Sequence, residues 1–258
     1  MEKENFIYGL HPVTEAIKSG KEIDRILFKK GMQGAFSAEL LQLARSHDIP
    51  FQFVPPEKLD RITRKNHQGV IAMISQISYE TLENLVQMVF EEGKNPLFLI
   101  LDGITDVRNF GAIARTAECA GVHAIIIPMQ GSAQINEEAV RTSAGALLRI
   151  PVCREKSLKA TVKFLKESGI MLVAATEHAQ NTCFVENYLK PIALIMGSEE
   201  TGISPELLRS CDQMVKIPMQ GEISSLNVSV AAGVLLFEVV RQRSMPSNGF
   251  TRWSTKKI

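Results

Sequence analysis

The 258-residue chain is most informative first for what it lacks. No apolar run approaches the roughly 18 residues of a membrane span, and the amino terminus, MEKENFIYGL, has no apolar core of a secretory leader. The four cysteines, Cys119, Cys153, Cys183 and Cys211, are scattered and form no CxxC, which argues against a zinc site or a disulfide framework. A reducing cytoplasm is the expected setting. Neither the GxGxxG of a dinucleotide site nor the GxxxxGK[ST] of a phosphate-binding loop occurs, so a cofactor held by its phosphates is not expected. No cluster of metal-ligating residues is present, and no metal is expected. The net charge is only +1, so bulk electrostatics do not announce a partner.

What is present is an ordinary globular composition, 45% hydrophobic and 22% charged, with two local concentrations of base. Arg61, Arg64, Lys65 and His67 form one. Arg241, Arg243, Arg252, Lys256 and Lys257, with no acid after Glu238, form the other. Either can neutralise phosphates, or be a solvated loop and tail.

The chain changes character near residues 76–95. Before it, a small α/β pattern runs over 5–75. A helix enters near Pro12, a strand is expected at Ile26–Phe28, and Ser37 is placed to cap a helix reaching His47. Further strands are expected at 51–54 and 70–74. After it, apolar runs at 97–101, 124–127, 171–175, 192–196 and 214–217 alternate with helical segments. Runs apolar on both faces and separated by helices indicate a parallel sheet covered on both sides. The expected organisation is a small α/β domain at 1–78, a linker at 79–96 that contains a helix, and a parallel-sheet α/β domain at 97–243. A basic flexible tail is expected at 244–258.

Three strand-to-loop junctions stand out. The first is LDGITDVRNFGAIAR, 101–115, where Asn109 can cap the helix that follows. Arg115, among Ala112, Ala114 and Ala117, is either a snorkelling surface residue or a functional cation. The second is MGSEETG, 196–202, whose glycines allow a tight turn and close approach to a ligand. The third is IPMQGEISSLNVSVAAG, 217–233, where Ser225 or Asn227 can cap a helix that is apolar nearly all round. Three such junctions in one parallel sheet build a crevice at the carboxyl ends of its strands.

In order and spacing these segments resemble the three motifs of the SpoU (TrmH-like) RNA ribose 2′-O-methyltransferases. IYGLHPVTEAI, 7–17, and HQGVIA, 67–72, extend the likeness to the RlmB-type branch, which methylates 23S rRNA guanosines. The resemblance implies a deep trefoil knot over about residues 190–240. It also implies an amino-terminal domain like small RNA-binding ribosomal proteins, and a homodimer through the knot domain that buries helices 111–121 and 227–241. The implied reaction is S-adenosylmethionine-dependent 2′-O-methylation of a guanosine ribose in the peptidyl-transferase P-loop of 23S rRNA. A tRNA ribose methyltransferase, or a non-catalytic RNA-binding protein, is the alternative. Arg115, Asn109, Glu199, Ser225 and Asn227 are implied as catalytic. Thr176, Met196, Gly197, Ile217, Met219 and Leu226 are implied to bind the cofactor, largely through main chain. Arg61, Arg64, Lys65 and His67 are the candidate RNA contacts.

Overall fold

A computed structural model describes residues 5–223 and 225–244. The basic stretch expected at 244–258 falls outside the described residues after Ser244. The chain divides into two units. One holds the residues up to Ser78 with Gln134–Glu137, and the other holds Tyr79–Ala133 and the residues from Glu138 onward.

The first unit runs β1 (Phe6–Tyr8), α1 (Leu10–Lys18), β2 (Ile23–Lys29), α2 (Ala35–Ser46), β3 (Phe51–Val54), α3 (Pro56–Ile62) and β4 (Val70–Ile74). Its four strands lie in the order β1-β4-β2-β3. The β2–β3 pair is parallel and the other two are antiparallel. Alternation along β2 and β4 sends Ile26, Phe28, Val70 and Ala72 toward α1 and α2. Leu27 and Ile71 pack instead with Leu59 of α3. The strands at 51–54 and 70–74 are where the sequence places them. Ser37 is not the cap of α2. That position is Gly34, and the Ser37 hydroxyl donates back to the Gly34 carbonyl at 2.7 Å from inside the first turn.

The second unit comprises α4 (Leu82–Glu91), β5 (Leu97–Asp102), α5 (Val107–Cys119), β6 (Ala124–Pro128), α6 (Glu137–Thr142), β7 (Val152–Glu155), α7 (Leu158–Glu167), β8 (Met171–Ala175), β9 (Asn181–Thr182), β10 (Ile192–Gly197), α8 (Pro205–Leu208), β11 (Gln213–Lys216) and α9 (Val228–Ser244). The seven strands are all parallel, in the order β7-β6-β5-β10-β8-β11-β9. Phe98, Ile100, Ile126, Leu172 and Ile195 bury one sheet face against residues of α4, α7 and α8. The segment 79–96 carries the expected helix as α4. Leu82, Leu85, Val86 and Val89 of α4 belong to this core.

Helices α5 and α9 pack on each other. The small residues of α5 have a specific use. A Cβ on Gly111 would lie 2.8 Å from the Ala139 carbonyl oxygen and from Thr142 Cβ, so only glycine lets α5 approach α6 this closely. Helix α9 is less buried than its apolar sequence suggests. Ala232, Leu235, Leu236 and Val239 are buried, while Val230 and Phe237 are about half exposed.

The carboxyl end of α9 is fastened by Arg243. Its guanidinium donates to the carbonyls of Asn95 (2.8 Å), Pro96 (2.9 Å), Tyr188 (3.0 Å) and Lys190 (2.7 Å), the segments that lead into β5 and β10. Burial pushes this guanidinium down to about 10. Gln242 adds two more bonds, to the Glu186 carbonyl and from the Tyr188 N–H, both 2.9 Å.

Candidate active site

Two adjacent sets of residues sit at the carboxyl ends of the parallel strands. The first is a cavity of about 700 Å³, within the range of small-molecule sites. Its walls are the ends of β8 (Ala175, Thr176), β10 (Met196, Gly197) and β11 (Val215, Lys216), the 198–203 turn, and the start of α9. Eight of the expected site residues line it: Thr176, Met196, Gly197, Glu199, Ile217, Met219, Ser225 and Leu226.

The 198–202 turn forms one wall and is tightly closed. Gly202 N–H donates to the Ser198 carbonyl at 2.9 Å, and the Ser198 hydroxyl meets the Thr201 hydroxyl at 2.8 Å. A Cβ on Gly197 would fall 2.0 Å from the Gly202 carbonyl carbon, so the crossing of these two backbones demands glycine. Asp102, at the end of β5, fixes the far side by accepting the Ser204 N–H at 2.7 Å.

Main-chain groups are not equally available. The Thr176 N–H is already given to the Val215 carbonyl at 2.9 Å, and the Thr176 carbonyl accepts from Ala179 at 3.2 Å. Thr176 therefore offers chiefly its side chain. Ile217, Met219 and Leu226 lie outside regular structure. Their main-chain groups make no hydrogen bond within the chain among the described residues. Among the described residues, these main-chain groups are available to a ligand at the wall.

The second set joins the three motifs. Glu199 Oε1 accepts from Asn227 Nδ2 at 2.7 Å, from the Val228 N–H at 3.0 Å and from Asn109 Nδ2 at 3.4 Å. Asn227 Nδ2 also donates to Asn109 Oδ1 at 2.9 Å. Asn227 Oδ1 accepts the Ser229 N–H at 3.0 Å and the Ser229 hydroxyl at 2.5 Å. Asn227 thus caps α9 as its position suggests, while its amide group also completes the cluster. Asn109 is not the cap expected of it. Helix α5 starts earlier, at Val107, and Asp106 accepts the Asn109 N–H at 2.7 Å. The side chain of Asn109 is thereby released toward Glu199.

Arg115 is on α5 but lines no part of the cavity. It is exposed, and its guanidinium has no hydrogen bond or ion pair among the described residues. Lys216, Glu177 and His178 do line the cavity, and the sequence reading did not single them out. The charged residue that ends an otherwise apolar strand was the available signal for Lys216 and for Asp102.

In the first unit, Arg61, Arg64 and Lys65 are exposed. His67 is spent on structure. Its Nε2 meets Asp60 Oδ1 at 3.0 Å, and its Nδ1 accepts the Gly69 N–H at 3.0 Å. Lys65 Nζ lies 5.7 Å from the centroid of the Tyr8 ring. Among the described residues, no group of His, Cys, Asp or Glu is placed to hold a metal ion, and no helix is long and apolar enough to cross a membrane.

The SpoU rRNA Methylase family model matches residues 96–237, and the model for RNA 2′-O ribose methyltransferase substrate binding matches residues 6–80. The chain is 39% identical over 240 residues to the 23S rRNA (guanosine-2′-O-)-methyltransferase RlmB of Haemophilus influenzae, covering 92% of this chain and 97% of that one. It is 34% identical over 243 residues to the Bacillus subtilis protein named "Putative TrmH family tRNA/rRNA methyltransferase YacO", covering 94% and 98%. Among solved structures, the SpoU methyltransferase AviRb of Streptomyces viridochromogenes in complex with AdoMet superimposes with a TM-score of 0.59. It is 26% identical, over 92% of this chain and 90% of that one. The chain belongs to the SpoU rRNA methylase family and is an RNA methyltransferase.

Proposed function

We propose that the protein transfers a methyl group from S-adenosylmethionine to the ribose 2′-hydroxyl of a guanosine in 23S rRNA, at the peptidyl-transferase P-loop. The single observation that carries this reading is the 39% identity to a 23S rRNA guanosine enzyme across both units. The name of the Bacillus relative keeps tRNA as the second reading.

The residues present fit the donor. The cavity is large enough, and the free main-chain groups of Ile217, Met219 and Leu226 suit the edge of an adenine. Met196, Gly197 and Thr176 line the cavity as well. S-adenosylmethionine supplies a methyl carbon bound to a sulfonium sulfur. When bound it would give that methyl group to the ribose oxygen and leave as the neutral thioether, S-adenosylhomocysteine, while the hydroxyl proton would pass to solvent water. An in-line approach gains most from fixed placement of the two reactants. Glu199, Asn109 and Asn227 hold the start of α9 and the start of α5 in one arrangement beside the cavity, and Ser225 is among the residues that line it. A guanidinium keeps its proton at neutral pH. Arg115 is therefore assigned to holding the target phosphate and stabilising the developing alkoxide rather than to removing the proton.

The same proposal includes the trefoil knot near residues 190–240 and a homodimer formed through α5 and α9. The half-exposed Val230 and Phe237 support the dimer. Arg61, Arg64 and Lys65 are assigned to RNA phosphates, and the setting is the cytoplasm. Incubation with labelled S-adenosylmethionine and separated 23S rRNA and tRNA tests the substrate. Label confined to 23S rRNA supports the first reading, and label confined to tRNA supports the second.

A further inference from the structure

One edge of the first unit carries an exposed ring pair outside every residue assigned above. His11, in the first turn of α1, stands edge-on to Phe36, in the first turn of α2. Their ring centroids are 5.1 Å apart and their planes meet at 64°. Phe36 is 58% exposed, whereas Phe28 of the same unit is buried. A single exposed phenylalanine is ordinary. The surroundings set this one apart.

Lys29 and Lys30, at the end of β2, are exposed, and neither has an ion-pair partner among the described residues. The backbone brings Lys29 to the loop that holds the start of α1, and Lys30 follows it directly, its N–H given to the Val54 carbonyl of β3 at 2.8 Å. Leu10 N–H donates to Gln68 Oε1 at 3.1 Å, which fixes the start of α1 against the loop before β4. A Cβ on the next residue, Gly69, would lie 3.2 Å from Lys29 Cβ, so that loop also touches Lys29. Gln68 itself holds φ 51°, a conformation a non-glycine residue rarely adopts without a local reason. The first turns of α1 and α2 contain no acid. The acids one turn deeper are Glu15, paired with Lys18 at 3.8 Å, and Glu39.

We infer that His11 and Phe36 form a stacking platform for an unpaired base of the substrate RNA, with Lys29 and Lys30 neutralising the flanking phosphates. This rests on RNA being the substrate. The chemistry is that of single-strand recognition. Every base has a face that stacks on an aromatic ring, and cations beside the ring track the backbone. Exposed lysines without an ion-pair partner on this side of the unit favour a polyanion over an apolar protein segment. The platform reads an unstacked base, so it recognises a loop or bulge rather than a helix.

The test uses the full-length protein, with deproteinised bacterial 23S rRNA and a fully paired RNA duplex as probes. Phe36→Leu keeps apolar bulk and removes the ring, and Phe36→Trp keeps a ring. Phe36→Leu is expected to weaken rRNA binding about tenfold, in line with the loss of one base–aromatic stack. Phe36→Trp is expected to stay near wild type. Duplex binding, melting temperature and S-adenosylmethionine affinity are expected to be unchanged in both variants. Ultraviolet cross-linking to rRNA is expected to place a nucleotide on the tryptic peptide 31–45 in the wild type and not in Phe36→Leu. Wild-type rRNA affinity in Phe36→Leu, or an equal loss toward the duplex, overturns the platform and leaves the methyltransferase reading standing. A wild-type protein that neither binds nor methylates rRNA overturns both.

Discussion

Glu199 Oε1 lies 2.7 Å from Asn227 Nδ2 and 3.0 Å from the Val228 N–H, so one carboxylate oxygen sits at the amino-terminal end of α9. A negative charge there satisfies otherwise open N–H groups and is favoured by the helix dipole. The same oxygen reaches Asn109 on α5 at 3.4 Å. Glu199 thus sets the spacing of two helix starts beside the cavity. Glu199→Ala is expected to cost about 1 kcal/mol of stability, the size of a lost cap. Turnover is expected to fall about 100-fold, through misplacement of the reacting groups. Glu199→Gln keeps an oxygen for the Val228 N–H, so its melting temperature is expected to hold while turnover still drops. Thermal melts paired with a methyl-transfer assay read both effects. Full turnover in Glu199→Ala would remove the cluster from the mechanism.

Arg115→Ala is expected to lower kcat by orders of magnitude while S-adenosylmethionine still binds, since Arg115 lines no part of the cavity. Arg115→Lys keeps charge and loses the planar fork. If Arg115 acts electrostatically, the lysine variant lowers the rate without moving the pH–rate profile. If it is a base, the rising limb shifts to lower pH. Normal turnover by the alanine variant would return Arg115 to a surface cation.

Much of the sheet was legible in the sequence because its strands are buried on both faces. The runs at 97–101 and 192–196 sit within one residue of β5 and β10. The strands that went unread lack that signature. VCRE carries Arg154 and Glu155, and β9 has only two residues. The cluster was legible only through resemblance, because Asn109, Glu199 and Asn227 are far apart in the chain and no periodicity brings them together. Asn109 has the residue type of a cap, but Asp106, three residues earlier, is an equally good one and takes that position. The commitment of the Thr176 N–H to Val215 depends on sheet order, which one sequence does not display.

Arg243 makes its four carbonyl contacts with a forked donor set that lysine lacks. Arg243→Lys is expected to cost about 2 to 3 kcal/mol, comparable to losing charged hydrogen bonds and leaving carbonyls unpaired. A melting temperature lower by about 4 to 10 °C is the expected reading for a domain of this size. An unchanged melting temperature would show that water replaces the guanidinium without cost.

His123 gives a pH dependence of known sign. Its Nδ1 accepts the Leu97 N–H at 3.1 Å. Burial first, then the nearby Lys94 and Arg243 charges, lower its affinity for a proton below the ordinary value of 6.5. The unfolded chain therefore takes up a proton that the folded chain refuses. The stability contributed by neutral His123 is present above about pH 6.5 and is lost as the pH falls through the lower folded value. His123→Gln keeps an acceptor and does not titrate. Between about pH 7 and about pH 5 its melting temperature is expected to fall less than that of the wild type. Parallel curves would show that His123 carries none of the acid sensitivity.

The most direct measurement is a ribose-methylation map of total RNA from cells with and without the gene, repeated in vitro with the purified protein, S-adenosylmethionine and unmodified rRNA. The expected result is one 2′-O-methylguanosine in 23S rRNA that disappears on deletion, returns with the wild type and stays absent with Arg115→Ala. Identical maps with and without the gene, or a methyl group lost only from tRNA, would contradict it.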